Sequence, residues 1–429
     1  MDKYIKNIYF LYILISSGLA TEFYRSQIGI IITFLITVAI WVYFKLPISR
    51  KYGVAILVWA LYSIATFFLY QVFTPFFIFR HATYITVAYV LVMLYKEDLF
   101  FKYEKYVTTL ALISLFFFLW QLISNESLFS LAKLVDVSGE MSRSSYEFRN
   151  FILHTVEKSA YDTSYERNYG FVFEPGSYSV FLAIAILFNL LRTHLNFNPK
   201  SNYQFYILTL ALITTFSTTG YIAFGVIVIY SIFVEVKGIS KYFYLIASLL
   251  LSVYIFFTVD FLYNKIQELY YSGQEINEVI ERAEQTGSSY SGGRFGGFII
   301  GWEDFKRFPL LGRGGVTELT AGQTSGGRVG IINGLANIMS QFGLFGIIVF
   351  FTTLYNSSKK ISKFYLSKAK YSFFIIIVIG ATSFSIHNQY FIFTLIFYTL
   401  FYEYSSIHNK NQQKRIESNI YYWGARSRR

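Results

Sequence analysis

The stretch "RNYGFVFEPGSYSVFLAIAIL", residues 167–187, changes character at Pro175. Ahead of it stand Arg167, an aromatic turn and Glu174; behind it comes a continuous apolar run. Proline suits the first position of a helix, and a carboxylate just before it is stabilised by the helix dipole. A charged loop therefore opens directly into a segment that reads as a membrane helix. A barrel strand would instead alternate over about 10 residues.

Runs of this kind recur on both sides, each of about 16 to 20 residues, enough to cross the hydrocarbon core as helix. The chain has 429 residues, 54% hydrophobic and 14% charged, with mean hydropathy +0.44. A soluble domain carries about 25% charged residues. The expected fold class is all-α: a polytopic membrane helix bundle of about 12 transmembrane helices with two large outer loops. The spans fall near 7–22, 28–44, 53–72, 78–95, 106–124, 176–191, 204–218, 220–235, 242–260, 331–355, 371–386 and 389–404. They form one transmembrane domain over 1–404, followed by a basic tail at 405–429 that is expected to touch anionic lipid.

Charge supports that order. With the N-terminus inside, the inner face holds 23 of the 37 Lys+Arg and 7 of the 25 Asp+Glu, against 14 and 18 outside. Such asymmetry is the positive-inside pattern and puts both termini in the cytoplasm. The basic excess is thus topogenic, and nucleic acid is not an expected partner. Gly18-Leu19-Ala20 resembles a cleavage site, but loss of the first span would leave an odd count, so it is expected to stay as an anchor. Cysteine is absent, which excludes disulfides and thiolate metal sites.

Two outer segments, about 125–175 and 260–330, are too long for simple connections. They are rich in aromatics and poor in proline, unlike disordered chain. In the second, "LYNKIQELYYSGQEINEVIERAEQ" places Ile266, Leu269, Ile276 and Ile280 at helical spacing and reads as an interfacial helix broken at Gly287. "RFGGFIIGWEDFKRF" predicts another, with Arg294, Phe298, Trp302 and Phe305 near one face and Pro309 and Gly312 ending it.

Arginine is biased outward: it makes up 10 of the 14 outer basic residues but 6 of the 23 inner ones. Topology needs only charge, so something outside uses the planar fork, which grips phosphate or carboxylate bidentately. Salt bridges to the outer acids are the plainer use. A phosphate-recognising pocket explains the set better, and a polyprenyl (pyro)phosphate in the outer leaflet is the expected ligand. Glu174 can cap its helix or accept a proton from a sugar hydroxyl. "FSTTGYIAFGV", residues 216–226, reads as a tight helical hairpin whose hydroxyls satisfy backbone groups. Gly292-Gly293 before Arg294, and Gly312, Gly314 and Gly315 around Arg313, would let backbone approach a ligand and form an anion-binding concavity. No Gly-Lys-Ser/Thr follows, so this is not a nucleotide P-loop. No Asp-x-Asp pair occurs, and neither metal nor cofactor is expected. His387, in the turn "SIHNQYF", is the strongest outer histidine, although such a residue more often serves the turn itself; His81 and His154 have no motif around them.

Taken together, "RNYGFVFEPGSYS" (167–179), "FSTTGYIAFG" (216–225), "GGRFGGFIIGWEDFKRFPLLGRGG" (292–315) and "INGLANIMSQFGLFG" (332–346) resemble the O-antigen polymerase and ligase superfamily, nearest its Wzy-type polymerases. The resemblance implies a GT-C-like, metal-independent glycosyltransferase in the bacterial inner membrane. Its substrate would be a polyprenyl-diphosphate-linked oligosaccharide, joined outside into O-antigen, capsule or exopolysaccharide, with a flippase and a chain-length regulator as partners. On this reading Arg294 and Arg167 hold the diphosphate, assisted by Arg313 and Arg328. Glu174 or His387 deprotonates the acceptor, Trp302 stacks on a sugar ring, and Asn333 contacts substrate. The ligase branch typically shows a histidine before that asparagine; here Ile332 stands there. Ligase-type transfer to another acceptor is the alternative. A lipid-linked oligosaccharide transporter is another, though it would place ionisable groups at mid-depth, where these spans have almost none.

Overall fold

The structure, a computed structural model, describes residues 1–135, 146–159, 166–235, 276–287, 289–291, 293–325 and 327–402, with isolated positions 137, 238, 242 and 246. In chain order the helices are α1 (Asp2–Ser16), α2 (Glu22–Arg25), α3 (Gln27–Tyr43), α4 (Arg50–Tyr70), α5 (Pro75–Tyr95), α6 (Asp98–Ile123), α7 (Asn125–Leu134), α8 (Pro175–Thr193), α9 (Tyr203–Ile213) and α10 (Thr218–Glu235). After residue 275 come α11 (Ile276–Thr286), α12 (Gly293–Arg307), α13 (Gly334–Phe364), α14 (Ser372–Ser383), α15 (Tyr390–Ile396) and α16 (Tyr398–Phe401). The expected span at 242–260, the tail at 405–429, Gly292, Ile266 and Leu269 lie outside the described residues.

Pro175 does open a helix, and that helix is the axis of the bundle. Every residue from Pro175 to Leu191 in α8 is buried, against α6, α9, α10 and α14. A helix apolar all round must be enclosed or face lipid. The most apolar stretch of α8 is 89% buried within the protein, whereas that of α4 is 17% buried and shows Leu57, Leu61, Ile64 and Phe68 outward. These are the bundle's two extremes, an enclosed axis and a lipid-facing wall.

By length and composition α4, α5, α6, α8 and α13 can each cross a membrane, and the chain is a multi-pass helical membrane protein. Helices α3, α9, α10 and α14 are apolar but shorter. The expected span 389–404 is not one helix: it breaks at Phe397 between α15 and α16. All of α15 is buried in protein, where a broken helix at membrane depth is tolerated. Four short strands also modify the all-α expectation. β1 (Tyr146–Asn150) and β2 (Thr155–Ser159) form an antiparallel hairpin; β3 (Ser289–Ser291) and β4 (Arg328–Gly330) pair in parallel.

At one end of the bundle a polar lock ties α6 to α8 and α9. Buried Glu104 accepts from Arg192 Nε and Nη2 at 2.9 and 2.6 Å and from Asn189 at 2.9 Å, and Asn189 also bonds Asn202. The long loops meet at the opposite end. There α13 has lost its ladder at Gly343, where φ +59° and ψ −151° admit only glycine. The segment "PLLGRGG" fills the gap. Leu344 and Phe345 N–H donate to Pro309 and Leu310 C=O, while Arg313 and Gly314 N–H donate to Ser340 and Gln341 C=O, all within 3.0 Å. The glycines expected to approach a ligand here approach protein instead: a Cβ on Gly312 would fall 2.3 Å from the Gln341 backbone. Beside this plug α12 packs its glycine face, Gly296, Gly297 and Gly301, inward with Ile300 and Asp304. Its Phe298 and Trp302 face out, 40% and 44% exposed.

Candidate active site

The site is assembled around the first turn of α8. The first i to i−4 bond there runs from Tyr178 N–H to Glu174 C=O, so the amides of Gly176 and Ser177 stand ahead of the helical ladder. A Cβ on Gly176 would meet Arg294 Nη2 at 3.3 Å, Ser383 Oγ at 3.6 Å and Ser217 Oγ at 3.9 Å. Four elements thus converge on one glycine: α8, the start of α12, the end of α14 and the α9–α10 turn. The Ser383 hydroxyl is buried without a hydrogen-bond partner.

Arg167 arrives from the loop before α8 and is held by the hairpin that follows α9. Its Nε donates to Thr215 C=O at 3.2 Å and its Nη2 to Phe216 C=O at 3.1 Å. The last carbonyls of a helix lack amide partners and attract a cation. Phe216, at φ +46°, completes the turn that aims them. Ser217 lies next to Phe216, and its Oγ takes a bond from Ser179 Oγ at 3.1 Å. The stretch expected to be a tight hairpin is one, and it also orients an arginine.

Burial is the largest influence on both guanidiniums and pulls their pKa values down. For Arg167 the opposing charges are Glu157 and Glu174, with Arg294 adding to the depression; for Arg294 the opposing charge is Glu174. The carboxylates only partly offset the cost of desolvating the two cations, so an arriving anion would be favoured. Among the described residues no hydrogen bond or ion pair ties down the Arg294 guanidinium, in contrast to Arg192 at the other end. Glu174 occupies the N-cap position of α8, but its side chain makes no capping bond. Arg294, the two hydroxyls and the amides of the α8 first turn lie together, with Glu174 and Arg167 as charge neighbours of Arg294, a set that can hold a phosphate and accept a proton beside it.

Residues 205–351 match the family model described as O-antigen ligase. That match, over about a third of the chain, supports the O-antigen polymerase and ligase superfamily. No curated protein matches it. The matched stretch contains the hairpin carbonyls, Arg294 and the plug, while Arg167, Glu174 and His387 lie outside it. The match supports a membrane glycan polymerase or ligase role.

The remaining superfamily candidates have neighbours of their own. Arg313 is 2% exposed and already partnered: Nε donates to Ser340 Oγ at 2.9 Å, Nη1 to Val316 C=O at 2.8 Å, and Asp304 lies 3.4 Å away. The structure therefore gives Arg313 to the plug and not to the phosphate group expected of it. Arg328 is in β4, where its Nε is buried and unbonded. Asn333 caps α13, accepting from Ala336 N–H at 3.1 Å. Trp302 stacks on Phe305 at 5.5 Å on the exposed face of α12, away from its buried glycines. His154 is core: burial takes it down to a pKa of about 3, and it stacks on Phe117. His387 is buried in its turn. Burial first, then Arg80, bring its pKa down to about 3, so its ring is neutral. The charged neighbours of Arg167 and Arg294 do not include it.

Sequence reasoning missed Ser217, Ser383 and Gly176. Only Gly176 left a signal, a poor helix former at the second helical position. Gly176→Val should leave α8 intact, because Pro175 still starts it, yet drive methyls into Arg294 and the two serines. Displacing a positioned group by about 1 Å can cost about 10²-fold. A transfer assay showing wild-type rate in this variant would remove the α8 turn from the site.

Proposed function

We propose that this protein is a Wzy-type polymerase that extends a surface glycan from a polyprenyl-diphosphate-linked donor on the outer face of the bacterial inner membrane. The observation that carries this is Arg294 set against the first turn of α8 beside Ser217 and Ser383, with Arg167 held by the neighbouring hairpin and Glu174 a charge neighbour of both arginines. The loop-bearing end of the bundle is the outer one on this reading.

The chemistry follows from that arrangement. An acceptor sugar hydroxyl attacks the anomeric carbon of the donor glycan. The new C–O bond forms as the bond to the diphosphate oxygen breaks, and lipid diphosphate leaves with the electron pair. Glu174 takes the hydroxyl proton, and the guanidiniums and amides neutralise charge growing on the departing oxygens. Fixed donors in a water-poor site commonly supply the largest share of such stabilisation. Alignment of the two substrates supplies more, about 7–11 kcal/mol in good cases.

Reconstitution with one defined diphosphate-linked repeat unit tests the reading. A polymerase yields a ladder on a gel. A single added unit only when a second kind of acceptor is present would show a ligase, and unreacted repeat units moved across the membrane would show a transporter.

A further inference from the structure

A second set of polar groups without hydrogen bonds among the described residues includes His387, in the turn 383–389. Ser383 faces Gly176 and Arg294 at one end of this turn. Four residues later His387 is buried with neither ring nitrogen bonded. Its neighbours are Arg80 and His81, near the start of α5. Arg80 has no carboxylate partner among the described residues; its Nε is buried without an acceptor, and its guanidinium lies 5.9 Å from the Phe77 ring. His81 Nδ1 is 2.9 Å from Phe77 C=O and so carries the proton, which leaves Nε2 a bare, buried acceptor. Phe342 packs on both imidazoles, with ring centroids 5.3 Å from His81 and 6.1 Å from His387, and Trp59, Phe77 and Tyr84 also pack on His81.

Buried donors and acceptors are nearly always satisfied, and a cluster that is not calls for a ligand. We infer that Arg80, His81 and His387 form a second phosphate-binding site, taking the phosphate of a lipid. The Arg80 guanidinium, without a carboxylate partner among the described residues, supplies the charge and the neutral His387 ring an N–H donor. The acceptors fit hydroxyls of an attached sugar: His81 Nε2, Asn388 Oδ1 and Gln389 Oε1 all lack a donor. Gln389 also reaches the first site, its Nε2 donating to Ser177 Oγ at 3.1 Å. Ser383 and His387 are four residues apart, so their Cα atoms are separated by at most about 14 Å. A sugar carried by one phosphate can therefore meet a sugar carried by the other. Assigning this site to the acceptor substrate rests on the glycosyl-transfer reading above; the phosphate site itself does not.

Native mass spectrometry of the full chain in phosphatidylcholine nanodiscs, with farnesyl diphosphate as probe, tests it. The wild type should bind two equivalents, Arg80→Gln one and Arg294→Gln one, the equivalent retained in each showing that the variant is folded. The affected equivalent should weaken at least about tenfold, as loss of a charge-assisted contact implies. If Arg80→Gln keeps both equivalents at wild-type affinity, the site does not exist. If it loses both and Arg80→Lys does not restore them, Arg80 serves the fold and the inference is overturned. Repeating the titration in phosphatidylglycerol nanodiscs separates the sources. Persistence of the Arg80-dependent equivalent assigns it to a prenyl diphosphate, and its exclusion there assigns it to a phospholipid headgroup. Two equivalents in a protein that makes no glycan would leave the phosphate site standing and remove the polymerase reading.

Discussion

Replacing Arg294 with lysine is expected to cut chain extension by about 10²–10³-fold, the cost of removing one preorganised donor from a site of developing negative charge. Charge alone is conserved in this substitution; geometry is not. Lysine offers a compact point charge, whereas the guanidinium presents a rigid fork that can grip two phosphate oxygens at once. Arg294 is suited to such a test because its guanidinium has no hydrogen bond among the described residues, so the change removes no visible support from the fold. Helix α12 is anchored by its buried glycines and Asp304, which the substitution leaves in place. Arg294→Lys should therefore insert, run as wild type on size exclusion, and leave lipid-linked single repeat units unextended. A wild-type ladder from this variant would remove Arg294 from the phosphate group. Arg167→Lys is less clean, since it also strips the bonds to Thr215 and Phe216 C=O.

Much of the architecture was legible because the bilayer imposes a coarse code. Pro175 marked the start of α8, apolar length marked α4, α5, α6 and α13, and a tight hairpin expected within 216–226 falls at 214–217. What stayed hidden depends on partners distant in sequence. The glycines around Arg313 look like a phosphate loop when read locally. Their use is fixed by Gly343, about thirty residues later, whose break in α13 exposes the carbonyls and amides that the plug pairs with. Arg313 likewise looked like Arg294 until Asp304 and Ser340 claimed it. Segregation of arginine to the outer loops predicted that such residues gather, but not which would be free. Freedom is a property of packing: Arg167 is tied to the carbonyls of the α9–α10 hairpin, whereas Arg294 lies against Gly176 with no hydrogen bond among the described residues.

Asp304→Ala should be the most destabilising single change among the polar residues of this end. The Asp304 side chain is fully buried and every direction around it is used. It accepts from Thr320 Oγ1 at 2.9 Å, Ala321 N–H at 2.5 Å and Ser340 Oγ at 2.5 Å, with Arg313 Nε 3.4 Å away. These contacts join α12, the plug, the segment after it and α13, so one carboxylate fastens the loop that carries Arg294 to the bundle. Removing it leaves the Arg313 guanidinium buried without its counter-charge, which costs about 3–5 kcal/mol. The loss should appear as a lower melting temperature in detergent and as new proteolytic cleavage between residues 308 and 327. Removing the stranded charge as well should recover part of it: Asp304→Ala with Arg313→Met ought to be more stable than Asp304→Ala alone, because an apolar pair replaces an orphaned ion. If the double variant were no better than the single one, the plug would be held by its backbone bonds to α13 and not by this ion pair. Activity separates the roles further, since a partly restored double variant should regain transfer if Arg313 only positions the plug, and stay inactive if Arg313 also touches phosphate.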